Sequence, residues 1–163
     1  MSKKILIVSD THGKNTNLKK VINQIGKHMD LMIHLGDSLC SLETMQELID
    51  CPVEMVRGNC DSMVHGLPIA KLIQIEQYKV LITHGHQYGG KWGVNSMREA
   101  AIENGAQIVM FGHSHEPMIE KYPDVVVLNP GSLSQPRQEG HEPTYIVMTI
   151  EEDGRAEYSL IRM

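Results

Sequence analysis

Aromatic rings, basic charge and long apolar runs are all scarce in this chain. Its 163 residues include one Phe, one Trp and five Tyr. That leaves no series of rings on which successive bases of a nucleic-acid strand could stack. Lys and Arg number 15 against 20 Asp and Glu, giving a net charge of −5 and an isoelectric point near 6.0. Without a basic excess, bulk binding to a nucleic-acid backbone is not expected. The three cysteines, Cys40, Cys51 and Cys60, are odd in number and form no CxxC pair. They read as reduced thiols of a cytoplasmic protein rather than a disulfide framework. The first apolar run, Ile5 to Val8, ends at Ser9-Asp10. It is too short for a signal-peptide core or a membrane span, so no membrane partner is expected.

What is present is aliphatic. At 41% hydrophobic, the chain can bury one core, and residues 1–163 are expected to form one domain. The 11 Met fit as core fillers. Ile5 to Val8 shows no polar alternation, so it predicts a strand covered on both faces. Leu18, Val21, Ile22, Ile25 and Met29 recur at helical spacing behind a cap at Asn15 or Thr16. Asp30 to Leu35 predicts a second strand. Ser41 caps a predicted helix carrying Leu42, Met45, Leu48 and Ile49, which Pro52 stops, and Val53 to Val56 predicts a third strand. Strand, helix, strand, helix, strand is the pattern of a parallel α/β sheet. The second half predicts a hairpin from Leu72 to Thr83, a helix through Val94, Met97, Ala101 and Ile102, and a strand over Ile108 to Phe111. Further strands follow at Val125 to Leu128, Tyr145 to Ile150 and Ala156 to Ile161. The expected architecture is a two-layer sheet core flanked by helices.

Six fragments close these apolar runs: Asp10-Thr11-His12, Gly36-Asp37, Gly58-Asn59-Cys60-Asp61, Thr83-His84-Gly85-His86, Gly112-His113-Ser114-His115 and Asn129-Pro130-Gly131-Ser132. The first five supply carboxylates, an amide and imidazoles. Ligands of parallel sheets gather beyond the carboxyl ends of the strands, where these fragments lie. Taken singly, Asp10 could be a helix cap, Asn59 a turn residue, and His113 and His115 an exposed turn. Taken together, they would be unrelated coincidences at one edge of one sheet.

Asp10 and His12, like His113 and His115, are two residues apart, and extended backbone would aim both members of each pair to one side. We therefore expect Asp10, His12, Asp37 and His115 around a first divalent ion, and Asp37, Asn59, His84 and His113 around a second. Asp37 bridges the two. Such ions sit about 3.5–4 Å apart, with a hydroxide between them that attacks phosphorus in line. The net positive site would attract a small phosphate ester. The oxygen and nitrogen donors favour manganese, iron, zinc, nickel or cobalt over calcium and do not single one out; manganese is the expected ion, with iron, zinc, nickel, cobalt or magnesium as alternatives. His86 is expected to face the same cavity as a substrate contact or proton donor. Asn129, Ser132 and Arg137 are weaker candidates for approach to the substrate. His34 reads as a satisfied core imidazole, and His28, His65 and His141 read as surface residues.

These fragments, in this order, resemble the calcineurin-like metallophosphoesterase superfamily. The Gly58-Asn59-Cys60-Asp61 and Asn129-Pro130-Gly131-Ser132 forms look like its small YfcE-like phosphodiesterase subgroup. The resemblance runs from Asp10 to about Arg137. It implies a four-layer α/β/β/α sandwich, a dinuclear metal centre and hydrolysis of phosphate esters. Its metal-ligand positions fall on Asp10, His12, Asp37, Asn59, His84, His113 and His115. One departure stands out: Cys60 occupies the position where many members carry a His that protonates the leaving oxygen. A neutral thiol suits that role less well, which leaves His86 or a metal-bound water as the expected substitute. The subgroup also resembles a eukaryotic retromer subunit that uses this fold as a protein-binding scaffold, and an interaction module is therefore the alternative function. Assembly into a homo-oligomer stays open.

Overall fold

Ile5, Leu6, Ile7 and Val8 are all buried, but alternate residues face different layers. Ile5 and Ile7 join Ile33, Leu35, Val80, Ile82, Ile108 and Met110 in a core between two sheets. Leu6 and Val8 face the other way, onto Leu18 and Val21 of one helix and Met45 of another. Strict side-chain alternation along a strand forces this split, and it explains a run with no polar positions. Each large aliphatic group removed from water contributes about 1.5–3 kcal/mol.

The computed structural model describes residues 1–163. In chain order the elements are β1 (Lys3–Val8), α1 (Thr16–Ile25), β2 (Leu31–His34), α2 (Leu42–Gln46), β3 (Val53–Met55), β4 (Ala70–Ile75) and β5 (Tyr78–Thr83). These are followed by α3 (Val94–Glu103), β6 (Ile108–Met110), β7 (Pro117–Lys121), β8 (Val126–Pro130), β9 (Thr144–Ile150) and β10 (Ala156–Arg162). One sheet has the order β10-β9-β1-β2-β3 and the other β4-β5-β6-β8-β7. Strands β1, β2 and β3 run parallel, as do β5, β6 and β8. Met97 and Ala101 of α3 pack on Leu81, Val109 and Val127 behind the second sheet. The result is the expected α/β/β/α sandwich. Each half contributes three parallel strands whose carboxyl ends reach the same rim.

Three local features differ from the sequence expectations. Strand β7 was not expected: it begins at Pro117, lies at a sheet edge and alternates poorly, with Glu120 and Lys121 exposed. An edge tolerates a residue with no N–H, so pairing with β8 survives. Helix α2 ends at Gln46, short of Leu48 and Ile49, although Ser41 does cap it, accepting the Thr44 N–H at 3.1 Å. Asn15 occupies the cap position of α1, but its side chain makes no capping hydrogen bond.

Candidate metal centre

Asp10, His12, Asp37, His113 and His115 all adopt left-handed backbone, with φ between 48° and 69°. This corrects the extended geometry expected for the pairs Asp10/His12 and His113/His115. Asp10 and His12 still meet, and His113 and His115 reach different donors of the same cluster, Asn59 and Asp10 respectively. A left-handed non-glycine residue costs on the order of 1–3 kcal/mol, and such costs persist where surrounding contacts over-determine them. Gly112 is needed here for its missing side chain. It does not turn through positive φ; rather, a Cβ there would collide with Ser9 Oγ and lie 2.7 Å from Asp10 Oδ2.

The turns bring remote side chains to one point. His115 Nε2 lies 3.2 Å from Asp10 Oδ1 and 3.2 Å from His12 Nε2. His12 Nε2 is also 3.7 Å from Asp10 Oδ1 and 3.6 Å from Asp37 Oδ2. His84 Nε2 lies 3.2 Å from Asp37 Oδ2, 3.8 Å from Asp10 Oδ1 and 3.0 Å from Asn59 Oδ1. His113 Nδ1 is 3.0 Å from the same Asn59 oxygen. All seven residues expected at the rim therefore converge, although they come from five separate turns. The donors fall into overlapping groups, Asp10-His12-His115 and Asp10-Asp37-His84, each compact enough for one ion.

Two observations test whether this cluster suits divalent metal. Asp10 Oδ1 is buried and has no hydrogen-bond partner, while Oδ2 takes the His113 N–H at 3.0 Å and the Ser9 hydroxyl. A buried, unpartnered carboxylate oxygen is costly unless a cation faces it. Two imidazoles also have their second nitrogen committed. His84 Nδ1 donates to Leu35 O and His115 Nδ1 to Gln135 O, both at 2.7 Å. Those bonds leave the Nε2 lone pairs aimed at the centre, the orientation a metal-binding imidazole needs. The residues fit the ions.

Electrostatics agree. Burial works to raise the Asp10 carboxyl, but His115 and His12 outweigh it and hold it well below the usual carboxylate range. Burial likewise works to raise the Asp37 carboxyl, but His84 outweighs it and leaves Asp37 lowered. Contact with Asp10 raises His12. Burial pulls His84 down, yet Asp37 and Asp10 leave it raised.

Several supporting residues were not singled out from sequence. Asp61 is fully buried and accepts three backbone N–H groups, from Gly58 at 2.7 Å, Asp37 at 2.8 Å and Leu39 at 2.9 Å. The Cys60 N–H donates to Asp37 Oδ1 at 2.7 Å. Ser134 Oγ donates to the Asp10 and Thr11 carbonyls. Asn129 and Ser132 lie beneath the centre rather than facing substrate. Both are fully buried, and their polar groups are engaged with Gly112, Ser114 and Gly131, and with Asp10 and Gln135, respectively. His34 is buried and satisfied, with Nδ1 accepting the Gly36 N–H and Nε2 facing Thr11 Oγ1 at 2.9 Å. His28, His65 and His141 are exposed. His86 is half-buried, its ring 5.4 Å from that of His84 and 6.2 Å from that of His113. The Cys60 thiol faces His12 and Asp37, and burial, with Asp37, pushes it up toward the neutral form.

Comparison with known proteins places this geometry in a family. The profile described as calcineurin-like phosphoesterase superfamily domain matches residues 4–153. The chain is 36% identical over 149 residues to the probable metallophosphoesterase YsnB of Bacillus subtilis, covering 91% of this chain and 85% of that one. It is 26% identical over 157 residues to the phosphodiesterase YfcE of Escherichia coli, covering 82% and 81%. The solved structure of vacuolar protein sorting 29 from Cryptosporidium parvum has a TM-score of 0.78 at 16% identity, covering 99% of this chain and 98% of that one, a likeness of fold alone.

Proposed function

The chain belongs to the calcineurin-like phosphoesterase superfamily, and on that premise we propose that it is a dinuclear-metal phosphodiesterase. Asp10, His12, Asp37 and His115 would hold one divalent ion, and Asp37, Asn59, His84 and His113 the other. Bound there, the ions would supply an activated water for in-line attack on phosphorus and neutralise charge building on its oxygens. The observation that carries this reading is Asp10 Oδ1, buried, unpartnered and ringed by imidazole nitrogens of His12 from its own turn and of His84 and His115 from two remote segments.

The protein's own groups do the positioning. Asp61 and the Cys60 N–H fix Asp37, so the bridging carboxylate need not be ordered when substrate arrives. Two clefts adjoin the donors, one lined by Arg57, Asn59, Ile69 and His86, the other by Trp92, His113, Ser114 and Arg137. A phosphorus atom between them has room for an ester group on each side, which favours a diester over a monoester. His86, at the edge of the first cleft, is the group within reach to give a proton to a departing oxygen. The mixed oxygen and nitrogen donors fit manganese, and the three unpaired thiols fit a cytoplasmic setting. No helix is long and apolar enough to cross a membrane. A scaffold role rests on the fold likeness to vacuolar protein sorting 29 alone.

The test uses metal-stripped protein, a panel of divalent ions and an activated aryl phosphodiester. Turnover restored by manganese and abolished by Asp37→Asn is the expected result. Two ions taken up per chain with no turnover of any ester would overturn it.

A further inference from the structure

The chain's single tryptophan sits at the edge of the donor cluster with most of its indole in water. Trp92 is 86% exposed and shares with His113 a cleft of about 240 Å³, whose walls also include Ser114, Glu116 and Arg137. Packing does not account for so large an apolar ring left in solvent. The loop carrying it is closed onto the donors. Gly90 has φ +61°, and a Cβ there would lie 2.9 Å from His113 Cδ2. Only a residue without a side chain lets this loop approach the imidazole so closely.

The charges of the cleft are just as specific. Lys91 pairs with Glu116 at 2.7 Å and lies 5.3 Å from the Trp92 ring centroid, so those two charges cancel. Arg137 forms no ion pair within the chain and gives the cleft its uncompensated positive charge. Its segment is anchored to a proposed metal ligand twice. The Arg137 N–H donates to His115 O at 3.0 Å, and Gln135 O accepts from His115 Nδ1.

We propose that this cleft is the subsite for a nucleoside substituent of the diester, with the base stacked on Trp92 and Arg137 paired with an anionic oxygen of the same substrate. The inference rests on the phosphodiesterase reading above. An indole face in water selects a planar π-system, and a free guanidinium beside it selects an anion. The cleft is smaller than the roughly 300–1,000 Å³ of a whole-ligand pocket, as suits one ring system whose phosphate lies at the centre. One platform also reconciles nucleotide recognition with the acidic net charge: it serves a single base and offers nothing to a strand.

Trp92 supplies its own reporter, since no other indole contributes emission. Metal-loaded protein is titrated with AMP, ribose 5-phosphate and inorganic phosphate. AMP should quench Trp92 fluorescence, and the two base-free anions should not. Arg137→Ala should weaken the AMP response about fivefold or more, with Arg137→Lys retaining part of it. In a kinetic arm, a nucleoside aryl phosphodiester is compared with a methyl aryl phosphodiester carrying the same leaving group. Trp92→Ala should lower the preference for the nucleoside ester about fivefold or more, expressed in KM. No quenching by AMP, or equal quenching by ribose 5-phosphate, with a preference ratio that Trp92→Ala leaves unaltered, overturns the subsite while turnover of both esters preserves the phosphodiesterase. Selective quenching by AMP with neither ester turned over does the reverse: the nucleotide site stands and the phosphodiesterase reading falls.

Discussion

The Asp61 carboxylate accepts the Asp37 N–H at 2.8 Å and so joins the turn after β2 to the turn after β3. The same oxygen takes the Gly58 N–H at 2.7 Å, and its neighbour takes that of Leu39. Asp37 is left-handed, with φ 55°, and this brace is what holds it there. Asp61→Ala should orphan three backbone donors in a buried position. Loss of about 3–5 kcal/mol of folding stability is expected, together with a 10- to 100-fold loss of metal affinity. Denaturant unfolding and metal titration of the variant check both. Asp61→Asn keeps one acceptor and should fall between.

His34 should make the metal-free protein acid-sensitive. Burial lowers its pKa from 6.5 to about 4. Between those values the unfolded chain takes a proton that the folded one refuses. The stability this neutral ring contributes is thus complete above about pH 6.5 and is lost as pH falls toward 4, an effect of about 3 kcal/mol. His86 and His113, also displaced downward by burial, act in the same direction. His34→Gln should therefore reduce, and not remove, the slope of unfolding free energy against pH across that window. An unchanged slope would show that His34 is not the titrating group.

Much of this was legible in the sequence because strand periodicity and donor chemistry coincide at the same positions. Ile5 to Val8 had to be a doubly covered strand, and Asp10 and His12 had to emerge at its end. The backbone that aims them was not legible. Left-handed φ at Asp10, His12, Asp37, His113 and His115 is imposed by contacts from elsewhere, such as Ser132 Oγ donating to Asp10 O at 2.7 Å. No local propensity encodes a bond between residues 122 positions apart. Asp61 was hidden for a related reason, since a carboxylate beside a proposed ligand looks like another ligand until its partners are seen to be backbone N–H groups. The signal available was its place two residues after Asn59, where a short acidic side chain closes a turn. Asn129 and Ser132 misled in the opposite sense: a polar pair after an apolar strand suggests a solvent-facing site, but here both are buried bracing.

Gly112 is predicted to tolerate no side chain without cost to the centre. A Cβ there would strike Ser9 Oγ and crowd Asp10 Oδ2 at 2.7 Å, and neither can move freely because they bond each other. Gly112→Ala should cost about 1–3 kcal/mol through overpacking. It should also weaken metal binding, because the displaced atom belongs to Asp10. Calorimetric metal titration separates the two effects. Normal affinity in a destabilised variant would mean that the strain is relieved away from Asp10.

Cys60 is predicted to limit which esters react quickly. Its thiol faces His12 and Asp37, and burial, with the Asp37 charge, holds it above its ordinary pKa. A neutral thiol with a raised pKa is a weak proton donor near pH 7, so aryl esters with good leaving groups should be turned over far faster than alkyl esters. Cys60→His would place an imidazole beside His12 and Asp37, on the side where the proposed mechanism needs a proton for the leaving oxygen. General acid catalysis of this kind is worth about 10²-fold or more. The alkyl ester should gain most of that increase and the aryl ester little, giving a shallower dependence of kcat on leaving-group pKa. His86→Ala should act oppositely, steepening the dependence in the wild-type background and mattering less once Cys60→His is present. Equal acceleration of aryl and alkyl esters by Cys60→His would instead mean that the imidazole acts on the metals or on binding, and proton delivery would have to come from another group.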